Sequence, residues 1–340
     1  MEMYTSTELL GVVETIQPQL SFWLPNFFPR AVNFTTEEIF FDKISRNRTL
    51  APFVAPNVQG KPMRQRGYKT ESFKPAYIKP KDPVTPSEMF HRAAGEGLGA
   101  NQLSPAEKWD AAIAARLSDQ RRAIERRWEW MACQAALFGA VTVEGEDYPS
   151  TTVDFGRKPS HTITLSGTAT WDGADADIIG NLEAWAQIIF EDTGLVVSRA
   201  IVSPDVWAVM RKNEAVLQLF ETRRGSLSKA ETGPLDASLS RQVAIIGEFE
   251  IWTYSDTYID DAGNPQKFMP DGTVFMGHAQ GMEGVQAFGA ILDAKAGLQP
   301  LSIFAKMWDN EDPSVTFVMS QSAPLMIPAQ PDATLLAHVL

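Results

Sequence analysis

From Ser104 onward, apolar residues recur at spacings of three, four or seven: Trp109, Ile113, Leu117, Ile124, Trp128, Met131, Ala135 and Phe138. This single stripe predicts one amphipathic helix over about 35 residues, on the order of 50 Å long. Its start is written in "SPAE": Ser104 as N-cap, Pro105 at the first helical position and Glu107 at the third, a capping box. Arg116, Arg121, Arg122, Arg126 and Arg127 fall on the other faces and predict a solvated side with pairs such as Arg121–Glu125. Such a helix exceeds the usual globular length and predicts a spine.

A second helical stripe, Ile178, Leu182, Trp185 and Ile189, has Asp175 or Asp177 as cap and Gly194 as stop. "SPDVWAVMRK" predicts a third helix, with Ser203 as cap. Elsewhere the pattern alternates. Strands are predicted in "EEIFFDKI" (Glu37 to Ile44), over residues 141–165, in "LVVSRAIVS", in the pair "QVAIIGEFEIWTYSDTY" and in "GTVFMG". "SVTFVMSQSAPLMIP" predicts a strand, a break at Pro324 and a last extended segment. The polar loop "ETRRGSLSKAETGPLD" is too rich in Gly, Ser and Pro to be core.

Two stretches fit neither period. "FWLPNFFPRAVNF" sets Phe22, Trp23, Leu24, Phe27, Phe28 and Phe34 around Pro25 and Pro29, which argue against a regular helix. So much aromatic surface must lie on an apolar surface, its own or a neighbour's. The second, Gly60 to Val84, carries seven Lys or Arg against Glu71 and Asp82, with four prolines. Its prolines and the Arg66–Gly67 turn signal predict two extended limbs joined near Gly67. Tyr68, Phe73, Tyr77 and Ile78 are more than a flexible linker usually carries.

Composition narrows the class. The 340 residues suffice for about two domains, and 44% apolar with 21% charged content is ordinary for a globular protein. The net charge of −12 argues against a protein that coats nucleic acid; an acidic wall suits DNA that must slide past. No secretory signal and no membrane-spanning apolar window are found.

No catalytic or metal constellation emerges. Histidines 91, 161, 278 and 338 never reach a ligand spacing, and Cys133 is alone, so it reads as a buried inert thiol. "DGADADIIG" lacks the oxygen ligands a calcium loop needs at Ile179 and Ala186. "GEGLG" at 95–99 has no strand before it and no P-loop lysine, and reads as a loop. No enzyme, no cofactor and no metal are expected.

Local strings carry a resemblance over nearly the whole chain: "MEMYTSTELL", "FTTEEIFF" at Phe34, "PAYIKPK" at Pro75, "SPDVWAVMRK" at Ser203, "TRRGS" at Thr222, "FMPDGTVFMG" at Phe268 and "QSAPLMIPAQPD" at Gln321. In these it resembles the major capsid proteins of lambda-like tailed phages. The resemblance implies an α+β Hong-Kong-97 type fold: an N-terminal arm (1–50), an extended E-loop (51–84), a P-domain with the spine helix and an antiparallel sheet (85–165 and 293–322), and an A-domain (166–292 and 323–340). It implies self-assembly of pentamers and hexamers into an icosahedral head around double-stranded DNA, expanding on maturation, made in the bacterial host cytoplasm.

Intersubunit contacts are then expected from E-loop residues Lys61, Arg64, Arg66, Tyr68, Lys69, Phe73 and Lys74, and from arm residues Phe22, Trp23, Phe27 and Phe28. Thr222, Arg223, Arg224, Gly225 and Ser226 are expected at the capsomer axis. Further partners implied are a decoration protein, a portal at one vertex and the packaged DNA, contacted non-specifically. The arm begins almost at Met1, so a separate scaffolding protein is expected. Two alternatives stay open: an encapsulin-like cargo compartment of the same fold, and a nucleic-acid-binding module using the basic stretch.

Overall fold

The computed structural model describes residues 4–44, 50–51, 53–57, 59–60, 68–90, 104–145, 148–222, 240–260, 262–296 and 300–340. Its axis is the helix Pro105–Phe138, 34 residues long. Both arms of the capping box form: the Ser104 amide donates to Glu107 Oε2 at 2.7 Å, and the Glu107 amide to Ser104 Oγ at 3.3 Å. The helix ends at Gly139, whose φ of 65° and amide bond to Ala135 O close the last turn. A Cβ on Gly139 would lie 2.6 Å from Arg157 Cβ, so glycine is required twice over. Arg157 itself caps the helix, donating to the carbonyls of Leu137 (2.6 Å) and Ala136 (3.4 Å). Burial there lowers its guanidinium to about 10.

The stripe from Trp109 to Ala135 is buried as its spacing predicts, but Phe138 is not. Beyond Trp128 the helix is enclosed on several sides, and Ala132, Cys133, Ala136 and Leu137 are buried as well. Buried Gln120 joins the helix to a three-stranded sheet made of Phe304–Asn310, Val315–Gln321 and Lys81–Val84. Its Nε2 donates to Val318 O at 2.9 Å and to Asp82 Oδ2 at 2.7 Å.

A six-stranded mixed sheet forms the other half, in the order Thr162–Thr164, Thr334–His338, Thr273–Gly277, Arg199–Val202, Phe249–Tyr254, Ser240–Ile246. Strand alternation gives its two faces to two cores. Ile201, Phe275 and Leu336 face the spine-helix core, while Ala200, Val202, Val274, Met276, Leu335 and Ala337 face the helix Ile178–Thr193. Covered on both faces, these strands read as continuous apolar runs such as "TVFM". His161 stitches this end together, fully buried, with Nδ1 2.9 Å from Thr334 O and Nε2 2.9 Å from Asp192 Oδ2.

Several expectations are corrected. A one-turn helix, Trp23–Phe27, does form around Pro25. The proline sits third in it, within the first turn, where the N–H that proline lacks would have had no intrahelical acceptor. Tyr68–Phe73 pairs antiparallel with Ile39–Ile44, from Ile39↔Phe73 to Ile44↔Tyr68, while the expected join at Gly67 lies outside the described residues. The break at Pro324 is as expected, between the strand Val315–Gln321 and the extended Pro324–Ile327. "LVVSRAIVS" holds one strand, Arg199–Val202, as expected, but Glu221 and Thr222 end the helix Glu214–Thr222 rather than opening a loop. "GEGLG" and His91 lie outside the described residues.

Candidate assembly interface

The N-terminal arm lies along one face of the spine helix. Asp110, Arg121, Glu125 and Glu129 share that face, at intervals of eleven, four and four residues. Each holds part of the arm. Tyr4 donates its hydroxyl to Asp110 Oδ1 at 2.6 Å, Arg121 donates to the carbonyls of Val13 and Ile16, and the Gln19 amide donates to Glu125 Oε2 at 2.8 Å. Arg121 and Glu125 do form the expected ion pair, at 2.7 Å. It is covered rather than solvated, with side chains 16% and 11% exposed.

Glu129 is the main fastening. Its Oε1 accepts from the amides of Phe22 (2.6 Å) and Trp23 (2.7 Å), and its Oε2 from Leu24 (3.0 Å). These are the free donors at the start of the Trp23–Phe27 turn, so a side chain from another helix caps it. Burial pushes the Glu129 carboxyl above its ordinary range, the three amides oppose this, and nearby Asp256 adds to it.

Behind that cap the arm's aromatics enter the core. Trp23 packs edge-on to Phe275 (5.1 Å) and Tyr254 (5.7 Å), and Phe27 edge-on to Phe275 (5.3 Å). Trp23, Phe27 and Phe28 are wholly covered and Phe22 is 5% exposed. These four side chains, expected at a neighbouring copy, are covered by their own chain.

The extended loop is anchored at its root. Ile39 is buried, Phe41 packs on Phe155 at 5.7 Å, Phe73 packs against the spine-helix core, and Tyr77 donates to Ala290 O at 2.8 Å. Lys74 pairs with Glu37 of the same chain. Lys79 lies over the Tyr77 ring and Lys81 over Phe317. Further out, Leu50 is 94% and Phe53 104% exposed. Tyr68 and Lys69 belong to the pairing strand. Lys61, Arg64 and Arg66 lie outside the described residues, as do Arg223, Arg224, Gly225 and Ser226, while Thr222 ends its helix.

Among the described residues no group of three or more His, Cys, Asp or Glu is placed to hold a metal ion. The Cys133 thiol is fully buried, bonded to Phe268 O and pushed well above its ordinary range by burial. His278 Nδ1 accepts from the Gly281 amide at 2.8 Å. No helix among the described residues is long and apolar enough to cross a membrane.

The fold has a close structural counterpart. A prophage capsid protein from Escherichia coli CFT073 superposes with a TM-score of 0.76 over 100% of both chains, at 21% identity. The α+β fold expected of Hong-Kong-97 type capsid proteins is thus the one this chain shares with a capsid protein. In sequence it is 32% identical to the major capsid protein of Enterobacteria phage P21 over 348 residues, covering 100% of each chain. It is 34% identical to that of Escherichia phage lambda over 342 residues, covering 98% of each. Such end-to-end similarity favours a phage head over a cargo compartment or a nucleic-acid-binding module. Residues 5–339 match the family model for phage major capsid protein E, and the chain belongs to that family.

Proposed function

We propose that this major capsid protein builds its virion shell by keeping the arm to itself and lending the extended loop to its neighbours. The supporting observation is the asymmetry in cover: Phe22, Trp23, Phe27 and Phe28 of the arm are buried at home, whereas Leu50 and Phe53, where the arm passes into the loop, stand in solvent. Apolar side chains held out on an anchored hairpin fit a surface that only another copy completes. In this reading 1–50 is the arm and 51–84 the loop, its root reaching back to Ile39. Residues 85–165 and 293–322 form the P-domain, and 166–292 and 323–340 the A-domain.

Copies join as hexamers and pentamers, and Thr222–Ser226 turn toward the capsomer axis. Lys61, Arg64, Arg66 and Lys69 of the loop pair with carboxylates of the adjacent, acidic subunit. The shell is not an enzyme. Its other partners are a separate scaffolding protein, a decoration protein, a portal and the packaged DNA, which an acidic inner wall lets slide.

Electron microscopy of the chain co-expressed with its scaffolding protein tests this. Closed icosahedral shells are expected from the native sequence. None are expected from the Arg64→Glu/Arg66→Glu variant, whose subunits still fold. Native subunits that stay dispersed, or normal shells from the double variant, would contradict the reading.

A further inference from the structure

Glu129, which fastens the arm, is 3% exposed and has no cation of its own among the described residues. The charged and titratable groups around it cancel without it. On the spine helix, Arg121 pairs with Glu125 at 2.7 Å, and Arg126 pairs with Asp256 Oδ1 at 2.9 Å. Arg199 reaches Asn26 of the arm but stands 3.7 Å from Glu250, and Arg127 lies over the Trp130 ring. The arm brings no charged side chain between Glu14 and Arg30. Burial pushes the Cys133 thiol and the Tyr254 hydroxyl upward, so both stay neutral. The charge left over is that of Glu129.

A carboxylate so placed is costly to keep ionised, and a buried acid commonly answers by holding a proton. The amides of Phe22, Trp23 and Leu24 offer it dipoles but no full charge. Asp256 adds to the difficulty: it is 7% exposed, and its Oδ2 has no hydrogen-bond partner among the described residues. Room for a proton exists. Oε1 accepts from two amides but Oε2 from Leu24 alone, which leaves Oε2 a lone pair. A cavity of about 400 Å³, lined by Pro18, Leu20, Pro25, Trp128 and Glu129, opens over the site. Leu20 is 60% exposed at its rim, so water can deliver the proton while the subunit stays folded.

We propose that the arm is a proton-linked latch: its docking takes up one proton, carried by Glu129 as a neutral carboxyl, and its release returns that proton to water. An O–H bond forms on Oε2 as the arm seats and breaks as it leaves. The device belongs to the single subunit and holds whether or not copies join.

Its direction follows from linkage. Burial, reinforced by Asp256, raises the seated carboxyl above the ordinary range in which the freed one titrates. Docking is therefore strongest below that ordinary range and weakens as pH rises through the seated value. An ionised cap would behave the other way, loosening in acid.

Infrared titration of dispersed subunits from about pH 4.5 to about pH 8 tests this. The native chain should keep a carboxylic-acid C=O band above the ordinary carboxyl range. Glu129→Gln should lack that band, and Asp256→Asn, which removes the neighbouring charge, should move its midpoint to lower pH. In parallel, protection of the Phe22, Trp23 and Leu24 amides, corrected for intrinsic exchange, should fall in the native chain by up to about tenfold per pH unit across the transition. In Asp256→Asn that fall should also move to lower pH, a comparison that stands even where Glu129→Gln does not fold. A native chain with no such band, or protection that rises with pH over this range, overturns the proposal.

Discussion

The arm and the loop leave the body of the protein a few residues apart, and they meet opposite fates. The arm, from Tyr4 to Phe28, runs along the spine helix and ends with Trp23, Phe27 and Phe28 at zero exposure. Among the described residues the loop is anchored at its root, by Ile39, Phe41, Phe73 and Tyr77, and its Phe53 has no cover. What separates them is where their backbone donors and aromatic rings find partners. The arm's amides at Phe22, Trp23 and Leu24 all reach Glu129, and its rings reach Phe275 and Tyr254. Exposure of apolar surface, rather than its amount, marks the segment available to other copies.

Variants in the two regions should diverge in kind. The largest effect on the isolated subunit is expected from Phe27→Ala, which empties a fully buried site and should cost about 3–5 kcal/mol by denaturant titration. Next comes Glu129→Ala, which strands three amide donors at the helix start. It should cost about 2–4 kcal/mol, and proteolysis should then cut between residues 16 and 28 in a subunit otherwise folded. Unchanged stability in both would mean that the arm is not part of the subunit's own core. Smallest is the reversal at Arg64 and Arg66 already described. It should move subunit stability by no more than about 0.5 kcal/mol, while removing shells.

The spine helix was legible because three signals agreed: a long period, a capping box and a proline at the first position. The strand runs of the six-stranded sheet were legible as strands, but the order in which they pair was not, since nothing local encodes it. The hairpin root was missed for the same reason. Ile39–Ile44 finds its partner 24 residues or more along the chain.

The arm's seat was half legible. Its aromatic density demanded cover but could not say whose. Glu129 gave no warning, because one glutamate in a helix with charged faces reads as solvated. A signal was present all the same: Asp110, Arg121, Glu125 and Glu129 align on one face, and Trp128 and Trp130 flank the last of them. Of the loop's expected contacts, Phe73 and Lys74 find partners in their own chain, Phe73 on the spine-helix core and Lys74 at Glu37.

Amide hydrogen exchange, measured on dispersed subunits and on assembled shells, tests the contrast most directly. Residues 19–28 should be protected to the same degree in both, and residues 50–57 protected only in shells. An arm that gains its protection on assembly, or a loop that exchanges equally in both states, would contradict the division of labour drawn here.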